Sequence, residues 1–197
     1  GWWAVPSLAR LRQAFHHVQN MEPAPKTSST LQKIAEGSTA AHAVIFSMAG
    51  YTVLPLHCNT RRYDASMQYN IHTLKNGLRI VLVPMAGTDT ATVIAMTGTG
   101  SRYESARENG LAHFLEHMFF KGTKKRPSAR AISEELDSIG SVYNAFTAKE
   151  RTAYYAKVAS RYLDNALDVI SDIFLNSALP SKEIAKERGA VIQEIDM

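Results

Sequence analysis

The stretch NGLAHFLEHMFFKGT, residues 109–123, decides how this chain folds and what it can bind. Its pattern predicts a helix that ends near Gly122. His113 and His117 are four residues apart, so on a helix their imidazoles lie nearly above one another and can converge on one point. Glu116 is three residues from the first histidine and adjacent to the second, which places its carboxylate beside that point.

Two neutral imidazoles with a nearby carboxylate suit Zn²⁺, and a catalytic zinc needs a third protein ligand and one open position for water. The order H-x-x-E-H is the inverzincin motif, in which the glutamate is a base. A single histidine on an apolar face is more often a satisfied core residue. In a chain of this composition the motif arises by chance roughly 0.01 times, so it is specific but does not decide alone.

The residues from Met67 onward predict an α+β domain. They predict a hairpin that turns at Asn76–Gly77, a buried strand, two helices, two alternating strands and two more helices. This order lacks the alternation of a doubly wound parallel sheet. It predicts a mainly antiparallel sheet with helices packed on one face. The predicted elements span residues 68–85, 91–98, 109–122, 128–140, 141–148, 152–159, 162–177 and 181–197, with Ser128 and Ser181 as helix caps and Gly140 as a helix stop.

Residues 1–66 differ in composition and predict a leader or a poorly ordered extension that precedes a domain at 67–197. The stretch NMEPAPKTSST, residues 20–30, is typical of a linker. The stretch SLARLRQAF, residues 7–15, suits either a poorly ordered tail or an organelle-targeting leader. The most apolar run, residues 41–58, is interrupted by polar residues, glycine and proline, so no membrane span is predicted. The absence of a clear signal favours the cytoplasm.

Charge and cysteine content exclude several functions. Residues 1–66 carry six Lys/Arg against three Asp/Glu, and the rest of the chain carries sixteen against fifteen, so the domain offers no basic groove for nucleic acid. The basic run at 121–126 is expected to be a solvated loop. Because Cys58 is the single cysteine, an internal disulfide and a zinc ribbon are impossible.

Four blocks of sequence together resemble the pitrilysin/insulinase superfamily of zinc metallopeptidases, which includes mitochondrial processing peptidase. The family pairs H-x-x-E-H with a more distant glutamate, and 76 residues separate His117 from Glu194 here. The resemblance implies that His113, His117 and Glu194 bind Zn²⁺ and that Glu116 is the general base toward a zinc-activated water. The blocks are GSRYES (100–105), NGLAHFLEHMFFKGT (109–123), NAFTAKERTAYY (144–155) and ERGAVIQEI (187–195).

The same resemblance implies roles for three further residues. Glu187 lies seven residues before Glu194, two helical turns away, and would support the metal site from behind its ligands; the alternative is a surface ion pair. Asn144 and Ala145 would contact the peptide backbone of a substrate along an edge strand; the alternative is that Asn144 only ends a strand. The GSRYE block is expected to shape the turn before the helix and to carry no chemistry.

The function implied is a zinc endopeptidase that hydrolyses extended peptides or unfolded polypeptides. Family members carry a second homologous domain or a partner subunit, so this chain resembles the N-terminal portion of one and is expected to be inactive alone. One alternative is a non-catalytic family subunit that binds peptides or scaffolds a partner. Another is a lyase with the same motif whose third ligand is a downstream cysteine, but Cys58 lies upstream.

Overall fold

The computed structural model describes residues 41–47, 69–73, 78–85 and 87–195. They form one mixed sheet, two single 3-10 turns and four α-helices. The strands are β1 (Ala41–Ser47), β2 (Asn70–Thr73), β3 (Arg79–Met85), β4 (Thr90–Thr97), β5 (Val142–Thr147) and β6 (Thr152–Ala159). The helices are α1 (Leu111–Phe119), α2 (Ala129–Ser138), α3 (Leu163–Asn176) and α4 (Ser181–Ile195), and the 3-10 turns are Ser101–Tyr103 and Ser160–Tyr162.

The six strands lie in the order β2-β3-β1-β4-β6-β5. Every neighbouring pair is antiparallel except β1 with β4, which is parallel. The predicted α+β class with a mainly antiparallel sheet is therefore confirmed. The predicted hairpin is present as β2 and β3, and its turn at Asn76–Gly77 lies outside the described residues.

Strand β1 differs from the expectation that residues 1–66 form an extension apart from the sheet. Residues 41–47 pair with β3 on one side and with β4 on the other. The apolar, β-branched sequence AHAVIFS suits such an internal strand. A short apolar run carries no periodicity that distinguishes an internal strand from other buried segments, which is why the sequence did not predict it. The assignment of residues 1–40 and 48–66 to an extension stays a prediction.

The sheet buries one face beneath the helices. Along β4, Ala91, Val93 and Ala95 are buried, whereas the residues between them are half-exposed. Helix α3 packs on β4 and β6 and buries Leu167 and Ile170 against them. The helices on this side therefore close a single core, and α1 packs at its edge against β5, β6 and α4.

Local signals set the predicted helix ends with one exception. Ser128 Oγ accepts a hydrogen bond from Ala131 N at 3.2 Å, and Gly140 adopts φ +63° after α2, as predicted. Ser181, expected to cap α4, instead lies within its first turn, because Ile184 N donates to the Pro180 carbonyl at 3.0 Å. Among the described residues, no helix has the length and apolar character needed to cross a bilayer.

Candidate metal centre

Helix α1 is held at its N-terminus by a carboxylate from the preceding loop. Its N-cap residue, Gly110, adopts φ +88° and provides no side-chain cap. Glu104 supplies the missing acceptors: Gly110 N donates to Oε2 and Ala112 N donates to Oε1, each at 2.7 Å. A negative charge at this position also interacts favourably with the helix dipole. The GSRYE block thus fixes where α1 begins.

The same block is locked to the turn between β5 and β6. Arg102 N donates to the Lys149 carbonyl at 2.8 Å, and the Arg102 guanidinium pairs with Glu150. A Cβ atom on Gly100 would lie 2.1 Å from the Ala148 carbonyl oxygen, so only glycine permits this approach. The loop therefore sets the position of α1 relative to strand β5.

The structure brings together the three residues expected to bind zinc. His113 Nε2 lies 3.1 Å from His117 Nε2, and the two rings meet nearly at right angles (83°). Glu194, on α4, places one oxygen 3.6 Å from His113 Nε2 and the other 3.5 Å from His117 Nε2. One atom from each residue lies within 4.8 Å of the others.

Glu187 lies behind this group on the same face of α4. Its Oε1 is 3.0 Å from His117 Nδ1, and its Oε2 is 2.7 Å from Lys121 Nζ. Burial by itself raises the pKa of Glu187, but the hydrogen bonds from Lys121 and His117 outweigh it and lower that pKa below its ordinary value. An ionised Glu187 accepts the Nδ1 proton of His117, which leaves a lone pair on Nε2.

The donor set fits a zinc ion. Ligands at tetrahedral angles and ordinary zinc distances are about 3.4 Å apart. The nearest atoms of each pair here are 3.1–3.6 Å apart, with a different Glu194 oxygen facing each histidine, and one atom from each residue lies within 4.8 Å of the others. His117 Nε2 presents a lone pair, and the Glu194 carboxylate is an acceptor only. In the Nδ1–H tautomer of His117 both of these atoms are acceptors, and a cation between them would satisfy both. The Glu194 side chain is 51% exposed, which leaves solvent access to the site.

Glu116 is half-buried on α1, between the two histidines in sequence. Burial raises the pKa of Tyr154 well above its usual value. The negative charge of Glu116 interacts with the Tyr154 phenol and raises that pKa further. Tyr154 is therefore a neutral phenol in the core beside the expected general base.

Asn144 and Ala145 lie on β5, which is an edge strand of the sheet that the described residues form. Ala148 N donates to the Arg151 carbonyl at 2.8 Å, and bonded and non-bonded pairs alternate along an antiparallel ladder. Ala145 is therefore at a non-bonded position, and its N–H and C=O face the open edge. The Asn144 side chain accepts that N–H through Oδ1 at 2.9 Å.

The expectation of a solvated basic loop at 121–126 is wrong for two of its residues. The Lys121 side chain is only 22% exposed and reaches Glu187, and the Arg126 side chain is 3% exposed among carboxylates. Lys121 is four residues after His117, and that spacing on one helix face is the signal that could have found it. Arg126 gave no comparable signal, because its partners lie in α2 and α3.

Two helix-borne histidines and a glutamate from a second helix are the ligand types found at the catalytic zinc of metallohydrolases, and Glu116 completes the H-x-x-E-H motif. Residues 79–197 match the profile of the family described as Insulinase (Peptidase family M16). This match covers more than half of the chain, and the chain belongs to the insulinase family. The expected resemblance is thereby confirmed, and zinc is the cofactor that the comparisons indicate.

Similar proteins carry consistent names. The chain is 47% identical over 127 residues to an uncharacterized zinc protease of Rickettsia felis and 48% identical over 126 residues to the zinc protease YmxG of Bacillus subtilis, covering 64% of this chain and 31% of each relative. It is 45% identical over 126 residues to the mitochondrial-processing peptidase subunit beta of Caenorhabditis elegans, covering 64% of this chain and 27% of that protein.

A solved structure shares the fold. The crystal structure of a protease from Helicobacter pylori matches with a TM-score of 0.62 and 33% sequence identity, over 65% of this chain and 30% of that one. The chain thus spans less than a third of the length of these relatives.

Proposed function

We propose that this chain carries the metal-binding half of a zinc endopeptidase active site. The observation that carries the proposal is the convergence of His113, His117 and Glu194 at 3.1–3.6 Å, with one imidazole already oriented by Glu187. Zinc held by these residues would supply a Lewis acid that can activate water and polarise a carbonyl. The relatives named zinc proteases support the same reaction class.

Glu116 is the proposed general base. It accepts a proton from the attacking water and delivers it to the leaving amine, so that no residue becomes covalently bound to the substrate. His113, His117 and Glu194 hold the metal, and Glu187 fixes the proton on His117.

The proposed substrate is an extended or unfolded polypeptide. Strand β5 offers the outward N–H and C=O of Ala145, to which an extended peptide can add as a further strand. The Asn144 side chain occupies that N–H now, so a bound peptide displaces it. Recognition through main-chain hydrogen bonds is largely independent of side-chain identity, which favours unfolded over folded proteins.

The active unit is proposed to include a second homologous domain or a partner subunit. The chain spans 31% of the Rickettsia and Bacillus relatives, and the Caenorhabditis relative is named as a subunit. A cytoplasmic location stays a prediction. Because one relative is named as a mitochondrial-processing peptidase subunit, the test is to measure how much of the protein is found in the cytoplasmic and in the mitochondrial fractions of the cell.

The test uses an extended protein, in which this chain is fused to the part of the Bacillus relative that follows its matched segment. The Glu116→Gln change preserves shape but removes the base, so hydrolysis of an unstructured peptide should fall about 10²–10⁴-fold while zinc content is unchanged. Glu134→Gln, on an exposed part of α2, is the matched control.

Two outcomes would contradict the proposal. Near-normal hydrolysis by Glu116→Gln with zinc retained would assign the proton transfer to another group. An unsubstituted extended protein that binds zinc and peptide without cleaving would instead support the non-catalytic subunit.

A further inference from the structure

We propose that Lys121 is a positioning residue of the metal centre that acts through Glu187 to fix the proton of His117. The inference rests on the proposed zinc function for its purpose, but its geometry is independent of metal. Lys121 Nζ lies 2.7 Å from Glu187 Oε2, and the other oxygen of the same carboxylate lies 3.0 Å from His117 Nδ1. Lysine, glutamate and histidine therefore form one chain of hydrogen bonds that ends at the metal position.

The terminal torsion of a glutamate side chain is broad and roughly two-fold, so a carboxylate alone has no fixed orientation. With the lysine on Oε2, Glu187 turns Oε1 toward His117 Nδ1. The Glu187 side chain is only 9% exposed, so removing the cation would leave its negative charge poorly solvated. A rotated Glu187 no longer accepts the Nδ1 proton firmly, and His117 is then free to carry the proton on Nε2, where zinc must bind.

Lys121 lies on a loop that is itself held in place. Its backbone N donates to the Met118 carbonyl at 3.0 Å, which continues the end of α1. The Gly122 carbonyl accepts from Ala178 N at 2.9 Å, and Thr123 N donates to the Arg126 carbonyl at 2.6 Å. A cation placed by such contacts can orient its partner to within the small tolerance that a metal ligand requires.

A purely structural ion pair between the end of α1 and helix α4 would have different consequences. It would change the free energy of unfolding without selecting one tautomer of His117. The experiment therefore measures the tautomer and the zinc affinity alongside stability, in the full 197-residue chain. The variants are Lys121→Met, which keeps the aliphatic stem, Lys121→Arg, which keeps the charge, Glu187→Gln, and the double variant of Lys121→Met with Glu187→Gln. Lys124→Met is the matched control on the exposed part of the same loop.

Zinc affinity is measured by titration against a competing chelator, and the tautomer by ¹⁵N NMR of the histidine rings in the metal-free chain. Lys121→Met should weaken zinc binding by roughly 10-fold, at the lower end of the 10–100-fold known for partners behind metal ligands. His117 should change from the Nδ1–H form to a mixture of tautomers. Lys121→Arg should retain most of the zinc affinity and most of the Nδ1–H tautomer, and Lys124→Met should change neither quantity. Because the effect passes through Glu187, the double variant should bind zinc no more weakly than Glu187→Gln alone.

Unchanged zinc affinity and an unchanged His117 tautomer in Lys121→Met would overturn the inference. Additive losses in the double variant would also overturn it, since Lys121 would then act by another route. If the unsubstituted chain binds no zinc, the proposed function fails by itself, and the tautomer measured without metal still decides the role of Lys121.

Discussion

Two charged clusters flank the loop that follows α1, and they differ in how completely their groups are paired. The first is the metal cluster, formed by His113, His117, Glu187 and Glu194. In it, the Nε2 atoms and the Glu194 oxygens face one another at 3.1–3.6 Å, outside good hydrogen-bond geometry for all but the histidine pair. This cluster has acceptors in excess and is open to solvent at Glu194.

The second is the arginine cluster, formed by Arg126, Glu135, Asp168 and Asp172. Arg126 donates to both Glu135 oxygens at 2.7 Å, to Asp172 at 2.8 Å and to Asp168 at 2.5 Å. Burial alone lowers the pKa of Arg126, but the hydrogen bonds to Glu135, Asp168 and Asp172 raise it above its ordinary value, so the guanidinium stays charged.

The comparison teaches how to separate structural from functional charge in this chain. The arginine cluster satisfies its donors within the protein and ties the loop to α2 and α3. The metal cluster has more acceptor atoms than protein donors around Glu194 and the two Nε2 atoms, as a cation site requires. Removing a member of the first should cost stability, and removing a member of the second should cost ligand binding.

The largest expected effect is on zinc binding by His113→Ala. Loss of one of three ligands should weaken zinc binding by more than the roughly 10–100-fold known for residues behind the ligands. The metal-free unfolding free energy should change by less than about 1 kcal/mol, because this side chain is partly exposed. Chelator competition and urea unfolding measure the two quantities. If His113→Ala binds zinc as tightly as the unsubstituted chain, His113 is not a zinc ligand, and the proposed contrast between the metal cluster and the arginine cluster fails.

Arg126→Met should have the opposite profile. It leaves the buried carboxylate of Asp172 without its cation, and the unfolding free energy should fall by about 3–5 kcal/mol. Arg130→Met, on the exposed face of α2 with 85% of its side chain accessible, is the control and should change stability by less than about 0.5 kcal/mol. Equal stability of the two variants would show that the arginine cluster is no more structural than a surface pair.

Glu104→Gln sharpens the comparison, because it tests the support of α1 without touching a ligand. The amide retains one acceptor and turns its other end, a donor, toward a backbone N–H. The unfolding free energy should therefore fall by roughly 1 kcal/mol. Amide hydrogen exchange in the first turn of α1 should accelerate. Unaltered exchange there would mean that Glu104 does not hold the helix start.

The smallest effect concerns pH. Burial raises the pKa of Asp168, but Lys125 and Arg126 outweigh it and lower the pKa below the ordinary 3.8. A lowered folded-state pKa stabilises the protein above about pH 3.8 and loses that contribution as pH falls below it. Asp168→Asn should therefore lose less stability than the unsubstituted chain between pH 6 and pH 3. The side chain is 49% exposed, so the difference should be modest. If both proteins lose the same unfolding free energy between pH 6 and pH 3, groups other than Asp168 cause the acid sensitivity.

Local patterns predicted most elements and the core of the metal cluster. The four-residue spacing of His113 and His117 and the cap at Ser128 depend on neighbours in sequence, which a single segment displays. Glu194 needed the family resemblance, because no local rule links residues with 76 others between them.

What the sequence did not predict depends on distant partners. Arg126 is buried because carboxylates as far as 46 residues away in sequence fold around it, whereas its neighbours in sequence suggested a solvated loop. Strand β1 is internal because β3 and β4 flank it, a fact that its own composition cannot reveal. Tertiary context overrode local pattern at both places.

The wide separation of Glu194 from the two histidines has a consequence for biosynthesis. A nascent chain leaving the ribosome presents both imidazoles long before the third ligand is translated, and the apolar core that positions α1 is built from residues before α4 and from α4 itself. The proposed zinc site would therefore be complete only once α4 has been made. Zinc bound there would link α1 to α4 in a domain that also has an apolar core, in contrast to small zinc modules whose folding the ion itself drives.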